Sequence, residues 1–274
     1  MSKDHSDTDT LGIAPDSATL EHEKSARDLK MPIGDCSQCP YRDSLLAEGH
    51  CKPGDACVAV ESGRQIFRFF RKNPDLAIDY MEDDFWERRA IVAAFIPLIE
   101  LNKLITDSDA TVRRAVARRI PVMFLSRLMD DPDREVRILV AERLPAARLM
   151  KMRFDDDYLV RSMVAQKAPQ GTLAHMMNDP DELVRKEVAK RLPKGSHVLM
   201  INDPSPVVRR IVVKEIGDRQ AIRMLYDEDL IVRLMAVNRV PPDALKLVED
   251  DPGPDVQLAI ARRVERGEGL RPGS

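Results

Sequence analysis

Beyond residue 57 this chain contains no cysteine. It also lacks any apolar run near the ~20 residues that a membrane-spanning helix needs, any glycine-rich phosphate loop, any H-E-x-x-H pair and any evident nucleophile–base motif. The five histidines are scattered: His5, His22, His50, His175 and His197. Charge of neither sign dominates, since 43 basic and 46 acidic residues leave a net charge of -3. Bulk attraction to nucleic acid or anionic lipid is therefore not expected. The opening Met-Ser-Lys-Asp-His-Ser has no apolar core of the secretory kind. These absences argue against an enzyme and against a membrane protein. They favour a cytoplasmic chain with reduced thiols.

What the chain does have is a period. Asp107, Asp131, Asp155, Asp179, Asp203, Asp227 and Asp251 stand 24 residues apart. A Val-Arg pair follows each at fixed distance, from Val112-Arg113 to Val232-Arg233, with Val256-Gln257 in the last unit. Proline closes the segment at Pro97, Pro121, Pro145, Pro169, Pro193 and Pro241, and Gly217 takes that place once. A fixed period of this length marks a solenoid whose units bury their apolar faces on one another.

Each unit reads as a helix. The Asp is expected as N-cap, with Pro132, Pro180, Pro204 and Pro252 at the first helical position. An apolar stripe such as Val136, Leu139, Val140 and Leu144 faces the core. Proline then stops the helix. Glu187 interrupts the stripe, which places that register near an edge. Ala117, Ala141, Ala165 and Ala189 allow close helix approach. The ten or so residues after the proline hold one or two short turns of 3₁₀ type. Five buried side chains contribute roughly 10 kcal/mol per unit, less than the ordering cost of roughly 1–2 kcal/mol per residue, so stacking is obligatory. Met152, Met176, Met200 and Met224 share one register as core filler.

The arginines from Arg113 to Arg233 recur in step with the aspartates. Pairing with an Asp or a carbonyl of the adjoining unit accounts for them, and a phosphate-binding groove is the alternative. Half of the aromatics, Phe67, Phe69, Phe70, Tyr80, Phe85 and Trp86, crowd ahead of the repeats. They read as a hydrophobic cap, or else as an exposed docking patch.

All four cysteines fall in one short segment: Cys36, Cys39, Cys51 and Cys57, spaced C-x₂-C-x₁₁-C-x₅-C. Four thiolates in a loop-rich stretch with little core matter suit a sulfur-ligated metal site that supplies folding energy. Gly34, Pro40, Pro53 and Gly54 fit a tight wrap. From the residues alone, structural zinc, an iron–sulfur cluster and disulfides all stay open. The second pair is wider than a zinc knuckle, and disulfides do not suit a cytoplasmic chain. His50 is expected at the surface or donating toward sulfur, as are Arg42, Lys52 and Arg64.

The wording D-x-x-x-x-V-R-x-x-V-A-x-R-L-P, recurring over about residues 84–264, resembles the leucine-rich-repeat variant proteins. That resemblance implies an all-α superhelical solenoid of 24-residue repeats, alternating α and 3₁₀ helices, preceded by an iron–sulfur domain. It further implies a [4Fe–4S] cluster on Cys36, Cys39, Cys51 and Cys57, and a bacterial, nitrogen-fixing setting. Four segments follow: a polar tail over 1–30 with a short helix at Ser17–Leu29, a cluster domain over 31–83, the solenoid over 84–264, and a loose end over 265–274. The expected function is a redox-active or redox-sensing cluster protein whose scaffold binds an unidentified protein partner. Alternatives are a metal-stapled interaction solenoid, with cluster or zinc as the staple, and a nucleic-acid-binding solenoid.

Overall fold

The computed structural model describes residues 31–268. The polar tail over 1–30, its short helix at Ser17–Leu29 and the residues from 269 onward lie outside the described residues. Among the described residues the secondary structure is helical, and the sole β-type pairing is an isolated bridge between Lys52 and Ala56. No described helix is long and apolar enough to cross a membrane. The described chain divides into two compact units between Ile96 and Pro97, whereas the sequence reading drew its boundary after residue 83.

In the second unit the long helices are Ala110–Arg119, Arg134–Arg143, Tyr158–Lys167, Glu182–Arg191, Pro206–Glu215, Leu230–Val237 and Pro254–Arg263. Each packs on the next. Short 3₁₀ or α turns, such as Val122–Leu128, Gln170–Met176 and Pro242–Val248, run between them. The helix-ending residues Ile120, Leu144, Ala168 and Leu192, each ahead of a proline, are extended, with ψ of 141° at Ile120, because the proline ring disfavours helical backbone there. The chain ends its described part in a helical turn at Val264–Glu268.

The N-caps correct the sequence reading by two residues. The caps are Asp109, Asp133, Asp157, Asp181, Ser205 and Asp229, each accepting a backbone N–H of the first turn. Consequently Pro132 precedes a cap and is not the first helical residue. The Asp107 register does other work. Its carboxylate accepts the N–H two residues on, as in Asp133 N to Asp131 Oδ1 at 2.9 Å. It also receives the arginine of the preceding unit. Arg113 donates Nε and Nη2 to Asp131 at 2.8 and 2.9 Å, and Nη1 to the Asp107 carbonyl at 2.8 Å. The same double grip recurs at Arg137–Asp155, Arg161–Asp179, Arg185–Asp203 and Arg209–Asp227, and Arg233 pairs with Asp251. In the last unit Gln257 keeps only the carbonyl bond, to Asp251 at 2.9 Å.

The buried stripe is also narrower than expected. Val136, Val140, Ala141 and Leu144 are buried, while the register of Leu139, Met163 and Glu187 is half-exposed. Glu187 therefore sits in an ordinary place and pairs with Lys190 at 2.7 Å. The methionines Met152, Met176, Met200 and Met224 are buried in the register of Leu128.

A second ladder closes the helix C-termini. Arg143 donates to the Ala117 carbonyl at 2.7 Å, Lys167 to Ala141 at 2.9 Å, Arg191 to Ala165 at 2.6 Å and Arg263 to Val237 at 2.5 Å. Cations there complement the negative end of the helix dipole. Glu215 breaks the series. The carbonyl it leaves, that of Ala189, meets His197 Nε2 at 2.9 Å. His197 occupies the buried register of Leu125, Leu149 and Leu173 and is 2% exposed.

Candidate metal centre

The first unit is built on the helix Gly63–Lys72. Ile66, Phe69 and Phe70 are fully buried, but Phe67, read with them as part of an aromatic cap, is 45% exposed. A 3₁₀ segment, Pro74–Tyr80, and the helix Trp86–Val92 complete the support. The aromatic crowd becomes a network. Phe69 and Phe70 meet edge-on at 5.4 Å, Phe70 meets Tyr80 at 5.4 Å, and Phe95 closes on both Phe67 and Phe70. These contacts hold the turn that follows Trp86–Val92 within this unit. Arg89 nevertheless repeats the ladder's carbonyl grip, donating to Asp83 at 2.7 Å.

The cysteine loop wraps against that platform. Cys39 N donates to the Cys36 carbonyl at 3.3 Å, and a wide helical turn at Arg42–Leu46 follows. His50 N and Cys51 N both donate to the Leu45 carbonyl. The Lys52–Ala56 bridge then brings Cys57 back toward the helix, where its N–H donates to the Gln65 carbonyl at 3.3 Å. Gly49 and Gly54 hold φ of 75° and 78°, a left-handed backbone that glycine adopts at little cost. Tyr41, two residues past Cys39, meets Phe69 at a tilt with ring centroids 5.5 Å apart and shares a hydrogen bond with Tyr80 at 3.1 Å.

This wrap brings all four thiols into one electrostatic group. Burial raises the Cys51 thiol above its ordinary range, and the charges of Cys39, Cys57 and Cys36 raise it further, with Lys72 opposing. Burial likewise raises Cys57, against backbone N–H groups of Ala59 and Val60 that reach its sulfur. Cys57 is buried, while Cys36, Cys39 and Cys51 are half-buried. As thiolates these sulfurs would repel one another, and a positive centre among them would offset that repulsion. A Cβ placed on Gly34 would lie 2.7 Å from Cys57 Sγ, so the chain passes the deepest sulfur with no room to spare. Four sulfurs within electrostatic reach of one another, backbone N–H donors to one of them and glycine where the wrap is closest fit a multi-iron cluster. Among the described residues, no three Cys, His, Asp or Glu side chains converge as ligands of a single metal ion. His50, Arg42, Lys52 and Arg64 are exposed.

A stack of two-helix rungs in one unit and a four-thiol loop in the other define a class: helical-repeat proteins with a metal-binding cysteine domain. Comparison with known proteins agrees. Residues 32–79 match the family described as LRV protein FeS4 cluster, and residues 110–133 match the leucine rich repeat variant. A solved structure described as a leucine-rich repeat variant with a novel repetitive protein structural motif is 56% identical. It superposes with a TM-score of 0.77 over 85% of this chain and 99% of that one. An uncharacterized 27.7 kDa protein in the nifB 3′ region of Rhodobacter capsulatus is 36% identical over 79 residues, 29% of this chain and 32% of that protein. The chain thus spans about a third of that relative's length. The chain belongs to the leucine-rich repeat variant family, and its N-terminal domain is of the iron–sulfur cluster type.

The residues missed by the sequence reading are Gln65, Arg68, Lys72 and Asn73, which hold the loop from the helix behind it. Their signal was slight: amides and cations at i, i+3 and i+7 on an otherwise aromatic helix.

Proposed function

We propose that Cys36, Cys39, Cys51 and Cys57 ligate a [4Fe–4S] cluster that exchanges one electron or reports redox state, and that the repeat stack binds a protein partner. When bound, the cluster supplies one-electron chemistry. The chain's part is to bind it, to keep the Cys57 side dry and to leave the opposite side near solvent. That asymmetry supports the redox reading: Cys57 is buried, whereas Cys36, Cys39 and Cys51 reach the surface. A cluster held this way lies within reach of a docked partner, and its potential is sensitive to solvent exposure. The name of the Rhodobacter capsulatus relative, taken from its place 3′ of nifB, adds a genetic neighbourhood to this reading. The location proposed is the cytoplasm, and no substrate turnover is assigned.

A protein partner is favoured over nucleic acid because the ladder arginines are already engaged. In Arg161, Nε and Nη2 serve Asp179 while Nη1 serves two carbonyls. A second reading, a structural staple for a binding solenoid, is favoured by the burial of Cys57 alone. A potentiometric titration followed by electron paramagnetic resonance separates the two. Reversible bleaching by dithionite with a paramagnetic signal supports redox function; a cluster that stays oxidised and silent leaves the staple.

A further inference from the structure

We propose that Gln65 and Asn73, buried amides at the two ends of the helix Gly63–Lys72, are positioning residues of the cluster. They act with the Arg68–Asp55 ion pair as the ties that fix the cysteine-bearing arms. The inference rests on the ligand reading above and deepens it.

Three ties run from one helix to three arms. Gln65, 0% exposed, donates Nε2 to the Pro32 carbonyl at 2.8 Å and so holds the strand of chain that leads to Cys36. Its backbone carbonyl takes the Cys57 N–H. Its Oε1 is buried without a partner. Leaving a buried acceptor unmet is costly, and among the described residues the only hydrogen bond this side chain makes is the one from Nε2 to Pro32. At the other end Asn73, 7% exposed, divides Nδ2 between the Phe69 and His50 carbonyls, both at 3.0 Å. Phe69 belongs to the helix, and His50 precedes Cys51. One side chain therefore closes the helix C-terminus and pins the Cys51 arm to it. Lys72 adds a bond to the Gly49 carbonyl at 3.2 Å. Between them Arg68 pairs with Asp55, on the segment joining Cys51 to Cys57.

None of these side chains is a sulfur donor. Each fixes a backbone carbonyl or a loop carboxylate, and so sets where a sulfur stands. Such outer residues govern metal retention through geometry. The loop has no core of its own, so the helix is what gives it a shape before metal arrives.

The test uses the full chain, reconstituted with iron and sulfide, and reads the rate of cluster loss to a chelator from visible absorbance. Cluster circular dichroism and far-ultraviolet helix content are recorded alongside. Asn73→Asp and Gln65→Glu keep shape and remove N–H donors. Each should lose the cluster about 10–100-fold faster with helix content unchanged, whereas rates within about twofold of the parent overturn the proposal. Should either variant not fold, the partly exposed ion pair decides. Arg68→Asp should speed loss, and Arg68→Asp with Asp55→Arg should restore the parent rate and cluster spectrum. A swap that rescues nothing also overturns it. Cys51→Ser run in parallel keeps two failures apart: full iron there refutes the ligand set, while iron loss there with unaltered amide variants refutes only the positioning.

Discussion

Consider Arg161→Met. The guanidinium bonds Asp179 at 2.8 and 3.0 Å and the carbonyls of Asp155 and Asp156 at 2.8 and 3.0 Å. Its side chain is 11% exposed and that of Asp179 6%. After the substitution the Asp179 carboxylate keeps one donor, the Asp181 N–H at 2.9 Å. Removing one partner of a buried ion pair costs roughly 3–5 kcal/mol. The retained N–H and the nearby surface place this case at the low end, about 3 kcal/mol. Removing both, with Asp179→Leu added, leaves no stranded charge. The remaining cost is mainly the Asp181 hydrogen bond, about 1 kcal/mol. Because Asp179→Leu alone also loses that Asp181 hydrogen bond, a double-mutant cycle should show coupling of about 3 kcal/mol. The measurement is urea unfolding by circular dichroism, with hydrogen exchange locating the damage in the helices Tyr158–Lys167 and Glu182–Arg191. Because rungs touch only their neighbours, the transition should broaden as that one interface opens first. Coupling under about 0.5 kcal/mol, the value of an exposed pair, would refute the argument that the ladder locks the stack.

Three further outcomes follow from particular residues. Gly34→Ala should block cluster assembly, because its Cβ would lie 2.7 Å from Cys57 Sγ; a variant with the parent's iron content contradicts this. Gly217 already has φ of -68°, and Ile216 before it is extended. Gly217→Pro should then raise stability by about 0.4–1 kcal/mol in a thermal melt, once the flexible Gln220 side chain swings clear, and a loss of stability would count against it. The Arg114 guanidinium draws the Asp133 carboxyl down to about 2 from an ordinary 3.8. A lowered folded value means the contribution is complete above about pH 4 and is lost as pH falls toward about 2. Asp133→Asn should flatten the urea midpoint over that window, and a profile parallel to the parent's would contradict the assignment.

Much of the fold was legible because spacing alone carries it. Proline every 24 residues fixes where helices stop, and Asp and Arg in step fix a pairing. The cap register was misplaced because most units offer an aspartate at both candidate positions. The series Asp109, Asp133, Asp157, Asp181, Ser205, Asp229 holds the capping residue types even where it changes, and Asp203 beside Ser205 shows the division of labour. His197 was unreadable as a plug, since only the stack brings it to the Ala189 carbonyl that Glu215 fails to serve. The four cysteines stood out by type. Their ties to Gln65 and Asn73 did not, because bonds to Pro32 and His50 depend on how an irregular loop folds back onto a helix.

Iron and acid-labile sulfide in protein purified without oxygen, compared with Cys51→Ser, test the central claim most directly. The account predicts about four of each per parent chain and a marked loss in the variant. Zinc in place of iron, or a variant that keeps the parent's full iron, would contradict it.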